Sequence, residues 1–302
     1  MNLLLITARQ IFLLLSIMII GWVLCKKKFF GSQGAKELGN ILLYVVGPLV
    51  IIDAYKEPFD PAKARLLGLC FLLGIAVHVL PMVLAKVFRL NPVQDVCIVM
   101  GNIGYLGIPL VSSLFGSEAV FFLAPFIVVC CIIQWTYVVV TLSRNKKEMS
   151  VRRMMSNPLF LAVAVALFIY FLQIPIPPLL QSAIDLLKPM NAPGAMMILG
   201  VYLAGSDLKT LFIKWENYRV VFIKLVLYPL IWLLFIYSLP AKWQMIKLIS
   251  LIVAAAPTGI NVTLMAGRYN QDTVLSSQLI CLSTILCAIT IPLLVGLAQG
   301  IW

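Results

Sequence analysis

Two asparagines, a tyrosine and two threonines stand where a lipid-facing helix has no use for them. Asn102 and Tyr105 lie in GNIGYLGIPL (101–110); Thr258, Asn261 and Thr263 lie in APTGINVTL (256–264). Glycine and proline accompany them: Gly101, Gly104, Gly107 and Pro109 in the first stretch, Pro257 and Gly259 in the second. Glycine removes the Cβ and proline removes the N–H, so both stretches read as breaks in otherwise apolar helices. Backbone freed by such a break persists at membrane depth only against protein or a wet cavity. A helix that restarts there presents its N-terminus, worth roughly half a positive charge. Two such ends facing one space make an anion site from dipoles and neutral donors, with no arginine or lysine in it. A carboxylate suits these groups better than a cation does. The competing reading is that Asn102 and Asn261 only cap the broken ends, and the two roles are compatible.

The elements that carry these stretches are membrane spans. The chain has 302 residues, of which 62% are hydrophobic and 11% charged. Soluble domains carry about 25% charged residues, so this composition belongs to a polytopic membrane protein. The net charge of +12 is spread in short groups between apolar runs, which argues for topology and against a nucleic-acid partner. The seven cysteines lie in or beside apolar segments with no CxxC, and His78 is the sole histidine. A Cys/His metal site is therefore not expected, nor is any cofactor.

Apolar runs long enough to cross the bilayer fall near 4–25, 38–55, 66–86, 93–115, 119–142, 158–174, 179–205, 219–239, 246–267 and 274–299. The first run has its dense charge, Lys26–Lys28, after it and not before, so it is expected to remain as a span and not be removed as a leader. Counting alternate loops sets the orientation. One set holds Lys26, Lys27, Lys28, Lys36, Lys86, Arg89, Arg144, Lys146, Lys147, Arg152, Arg153, Lys209, Lys214, Arg219 and Arg268. The other holds Lys56, Lys63, Arg65, Lys242 and Lys247. The bias places both termini outside and the 143–157 loop in the cytoplasm.

Five spans precede that loop and five follow it, so the halves (1–142 and 158–302) are expected as inverted repeats. LFGSEAV (114–120) aligns with RYNQDTV (268–274), the fourth span of each half carries a break, and the second carries a proline at its centre, Pro48 or Pro193. Paired interruptions at corresponding places point to the binding site of a secondary transporter. The fold class expected is all-α and polytopic, with ten spans in two inverted five-helix repeats.

Other polar residues lie in the runs. His78 is a proton-coupling candidate, with a histidine satisfied by a neighbour as the alternative. Gln134 is placed to support Asn102. Lys224 reads as snorkelling to the cytoplasmic face, and Asp53 and the Asp185/Lys188 pair read as structural ion pairs. No GxxxxGK[ST], HExxH or GxSxG occurs, so neither an ATP motor nor a hydrolase is expected. An anion channel, or a transporter-like sensor without flux, are the alternatives to a carrier.

At GNIGYLGIPLVSSLFG, AAAPTGINVTLMAGRYNQD and LSTILCAITIP the sequence resembles the auxin efflux carrier family, which includes plant auxin exporters and bacterial malonate and malate permeases. The short central loop is like that of a bacterial member, which implies the bacterial inner membrane. The resemblance implies a fold like the bile-acid sodium symporters. There the first two spans of each repeat form a scaffold, the last three form an elevator-like transport domain, and the fourth and ninth spans cross at their breaks. His78 would then lie in the transport domain. Asn102 matches the family's crossover asparagine and Pro257 its second crossover proline, while plant members have proline where this chain has Gly101. Val46, Leu49, Met196 and Met197, beside Pro48 and Pro193, would line the scaffold side. The substrate implied is a small organic acid anion, auxin-like or a dicarboxylate, and a homodimer is compatible with the resemblance.

Overall fold

The computed structural model describes residues 3–205 and 214–301. Lys209 of the loop count lies outside them. The described chain is helical with no strand: α1 (Leu3–Lys26), α2 (Ser32–Ala54), α3 (Pro61–Val87), α4 (Pro92–Val99), α5 (Ile103–Phe115), α6 (Glu118–Ser143), α7 (Val151–Met155), α8 (Pro158–Leu172), α9 (Pro178–Leu187), α10 (Asn191–Gly205), α11 (Trp215–Tyr237), α12 (Gln244–Ala255), α13 (Asn261–Arg268) and α14 (Thr273–Ile301). Among the described residues, α1, α2, α3, α6, α11 and α14 are each long and apolar enough to cross a bilayer, and the segment containing α7 and α8, bent by 48°, adds a seventh candidate. Large apolar side chains such as Leu72, Phe168 and Leu234 stand exposed on the outer faces, as they do where lipid is the solvent. The chain is a polytopic helical membrane protein.

Helix starts follow local chemistry. Asn91 and Gln94 close a reciprocal capping box ahead of α4, with Pro92 in its first turn. Asp60 caps α3 ahead of Pro61, and Asn157 caps α8 ahead of Pro158. Each proline sits where its missing N–H costs nothing. The same rule corrects the reading of the seventh run. A single 3-10 turn, Lys188–Met190, separates α9 from α10 and holds Pro189. Pro193 falls in the first turn of α10, not at the centre of a span.

Among the described residues, four helices carry one wide π turn each: Leu42–Val46 in α2, Ile103–Gly107 in α5, Gln134–Val138 in α6 and Ile223–Leu227 in α11. Three of these end two residues before a proline, Pro48, Pro109 or Pro229. Proline cannot donate to the carbonyl four residues back, and the widened turn accommodates the missing bond.

The tightest helix pairing joins α1 to α10. A Cβ placed on Gly200 would lie 2.1 Å from the Met18 carbonyl oxygen, and one on Gly21 would lie 2.3 Å from that of Met197. The two backbones touch, so packing here depends on the absence of side chains.

Candidate functional site

Between α4 and α5, and between α12 and α13, the helices stop, and the two interruptions meet. Gly101 and Thr258 form an isolated antiparallel bridge. The Asn102 N–H donates to the Pro257 carbonyl at 2.7 Å, and the Gly259 N–H donates to the Met100 carbonyl at 2.9 Å. Backbone polar groups stranded by one break are thus satisfied by the other. The contact is close: a Cβ on Gly259 would lie 3.2 Å from the Gly101 carbonyl oxygen. Gly101 itself leaves the bridge intact, with both bonds formed.

The starts of α5 and α13 open onto one cavity of about 90 Å³. It is lined by Asn102, Gly104 and Tyr105 from the first break and by Gly259 and Asn261 from the second, with Gln134 from α6. Among the described residues no charged side chain lines it. Asn102 does two things. Its Oδ1 accepts the Tyr105 N–H at 3.2 Å, capping α5, while its buried Nδ2 has no hydrogen-bond partner among the described residues. Among the described residues, the backbone N–H groups of Gly104, Ile260 and Asn261 also meet no acceptor. Three main-chain donors and one amide donor therefore belong to the walls of one small space at two helix N-termini, an arrangement that suits an anionic oxygen.

The structure divides the residues expected at the site. Asn102, Gly104, Tyr105, Gln134, Gly259 and Asn261 come together. Gln134 accepts from Asn261 Nδ2 at 3.3 Å, so it supports Asn261 and not Asn102. Pro257 serves through its carbonyl in the bridge. Thr258 is buried, and its Oγ1 donates to the Cys97 carbonyl at 2.9 Å. Thr263 is taken up by Ser276, 3.0 Å away. Gly107 packs against Ile103 within α5. Pro48 and Pro193 do not line the cavity, nor do Val46, Leu49, Met196 and Met197; that side is formed by Leu42, Leu43, Gly47 and Asn191. His78 is buried in α3, away from the lining, and its Nδ1 donates to the Gly74 carbonyl at 2.8 Å. Asp53 is held by Lys56 at 2.8 Å and Lys188 at 3.0 Å, and Lys188 also holds Asp185 at 2.8 Å.

Lys224 overturns an expectation. It does not snorkel: it is 1% exposed, and its Nζ donates to the Ile98 carbonyl at 3.0 Å, at the end of α4. The cavity also gains polar residues that the sequence did not single out, Asn157 and Asn191, and two thiols, Cys130 and Cys131. Every π turn contributes to this region: Leu42, Gly104 and Gln134 line the cavity, and Lys224 lies against α4. Widened turns of this kind recur at functional sites; a following proline marks three of them in the sequence, and nothing comparable marks Gln134–Val138.

The family model described as "Membrane transport protein" matches residues 6–152 and 142–295. The chain belongs to this membrane transport protein family. The match covers both breaks and every residue that lines the cavity, so the crossing is part of a membrane transport protein and not an isolated feature of one helix pair. A comparison with curated proteins finds no match.

Proposed function

We propose that this membrane transport protein carries a small organic carboxylate across the bacterial inner membrane, with the anion held at the crossing of the broken helices. The observation that carries the reading is the donor set: the N–H groups of Gly104, Ile260 and Asn261 and the Asn102 amide, unpartnered at one neutral cavity. Helix N-termini attract negative charge, and a buried donor without an acceptor costs about 1–3 kcal/mol that a ligand oxygen can recover. Leu42, Leu43 and Ile127 on the remaining wall suit the carbon skeleton of the acid.

The wider architecture proposed is two inverted five-helix repeats, 1–142 and 158–302, joined by a cytoplasmic 143–157 loop, with both termini outside. α4/α5 and α12/α13 are then the fourth and ninth spans. Movement of the crossing past a scaffold of α1, α2, α8 and α9–α10, as an elevator, would give alternating access. The test is uptake into proteoliposomes of labelled malonate, malate, citrate and indole-3-acetate, with Asn102→Ala alongside. Saturable flux of one acid, weakened in the variant, supports the reading. An absence of flux for all four acids by folded protein in both orientations overturns it, and unitary currents would indicate a channel instead.

A further inference from the structure

A helix break creates two kinds of end. The starts of α5 and α13 face the cavity; the ends of α4 and α12 lie on the other side of the bridge, and they are electrically opposite. Each C-terminus carries roughly half a negative charge on carbonyls that have lost their helical donors. At α4, the Ile98 carbonyl would be served in an unbroken helix by the Asn102 N–H, which instead goes to Pro257. At α12, the Val253 carbonyl would be served by residue 257, which is proline and has no N–H. Two buried helix C-termini that converge sum to about one negative charge.

Lys224 meets that charge. Its Nζ donates to the Ile98 carbonyl at 3.0 Å. A single point, the position of a Cβ on Gly101, lies 3.4 Å from the Val253 carbonyl oxygen and 3.7 Å from Nζ, so the α12 end lies within about 7 Å of the ammonium, near enough for its partial charge to act there without a direct hydrogen bond. The Tyr228 ring adds a face with its centroid 5.3 Å from Nζ. Among the described residues no carboxylate lies within ion-pair distance of Lys224. A lysine this deeply buried without an acidic partner is costly unless something else compensates its charge, and here it is met by one hydrogen bond, to the Ile98 carbonyl, and by the partial charge of the helix ends.

We infer that Lys224 is a tethered cation: its ammonium occupies the place between the C-termini of α4 and α12 that a free monovalent cation would otherwise fill, which makes the crossing independent of sodium. The crossing geometry alone carries this inference, and only the flux arm of its test also rests on the transport reading. Lys224 lies outside the cavity lining and acts as a positioning residue, holding the two ends together so that the α5 and α13 starts keep their places.

The test is chemical rescue of Lys224→Ala, which vacates the ammonium position, beside Lys224→Met, which fills it with a neutral chain. Thermal unfolding of purified protein is measured in choline, sodium and methylammonium chloride, with flux measured in the same media. Wild type is expected to unfold at the same temperature, and to transport equally, in all three. Lys224→Ala is expected to lose flux by about tenfold or more in choline, the scale of one charge-assisted hydrogen bond. Sodium or methylammonium is expected to raise both its melting temperature and its flux. Lys224→Met is expected to be impaired and to respond to neither cation. A wild-type melting temperature or flux that depends on sodium overturns the inference, and that arm needs no variant to fold. So does a Lys224→Ala protein that is indifferent to cations, or a Lys224→Met protein with wild-type flux. If wild type carries no acid in any medium, the transport reading fails while the melting arm still decides the role of Lys224.

Discussion

Replacing Asn102 by aspartate separates the two functions of this side chain. The cap needs only an acceptor: Oδ1 receives the Tyr105 N–H at 3.2 Å, and aspartate caps as well as asparagine. The amide Nδ2, buried and unpartnered, is what a ligand anion would use. Asn102→Asp keeps the cap, removes that donor and places an acceptor where the anion should sit. A hydrogen bond to a charged group is worth about 1.5–3 kcal/mol, which converts to roughly 12- to 140-fold in affinity. Repulsion from the introduced carboxylate, once ionised, would add to this loss. Asn102→Ala loses the donor and the cap together, so it should show a similar binding loss plus about 1 kcal/mol of stability. The assay pairs the half-saturation concentration of the transported acid in proteoliposomes with the melting temperature of the purified protein. The expected pattern is Asn102→Asp near wild type in stability and at least tenfold weaker in binding, with Asn102→Ala impaired in both. An Asn102→Asp protein with unchanged half-saturation would refute the reasoning, because Asn102 would then be a cap and nothing more.

Other consequences follow from the same geometry. Gly259→Ala brings a Cβ to 3.2 Å from backbone at the bridge, an overpacking expected to cost about 1–3 kcal/mol. Gly101→Ala meets its nearest atoms at 3.4 Å and should be better tolerated; paired melting curves check the order. Gly200→Ala would place a Cβ 2.1 Å from the Met18 carbonyl oxygen, so α1 and α10 must separate, and the yield of folded protein after detergent extraction should fall sharply. Asp53→Asn releases Lys56 and Lys188, which are 42% and 36% exposed; the loss should be nearer the ~1 kcal/mol of a solvated pair than the 3–5 kcal/mol of a buried one, with half-saturation unchanged. Cys130 lines the cavity, so alkylation at this position, followed by mass spectrometry, should slow when the transported acid is present.

The positions of the helices were legible because lipid demands long apolar runs and because Asn, Asp, Gly and Pro mark helix ends by simple chemistry. The two breaks were equally plain, since GNIGYLGIPL and APTGINVTL violate the requirements of a lipid-facing helix. That the breaks bond to each other is a long-range fact, joining Asn102 to Pro257, and no local pattern carries it. Pro193 misled because a proline inside an apolar run looks the same whether it breaks a helix or begins one. Lys224 misled for a different reason: a lysine near the start of a span usually snorkels. Counted from a span start at 219 it lies five positions in, about 7.5 Å along the axis, close enough to snorkel; the helix in fact begins at Trp215, nine positions and about 14 Å back, farther than its side chain can reach. The site residues that went unnoticed, Asn157 and Asn191, sit at helix starts, where an asparagine has an ordinary capping explanation that conceals any second use.

The central claim is that the crossing recognises negative charge through helix ends and amides. The most direct measurement is competition in proteoliposome counterflow between the transported acid and its neutral primary amide, matched in shape and lacking only the carboxylate charge. The account predicts that unlabelled acid displaces the labelled acid with saturable kinetics and that the amide competes at least tenfold more weakly, the scale of one charge-assisted hydrogen bond. Equal competition by the amide would mean that shape alone is read at the crossing, and the anion site would be contradicted.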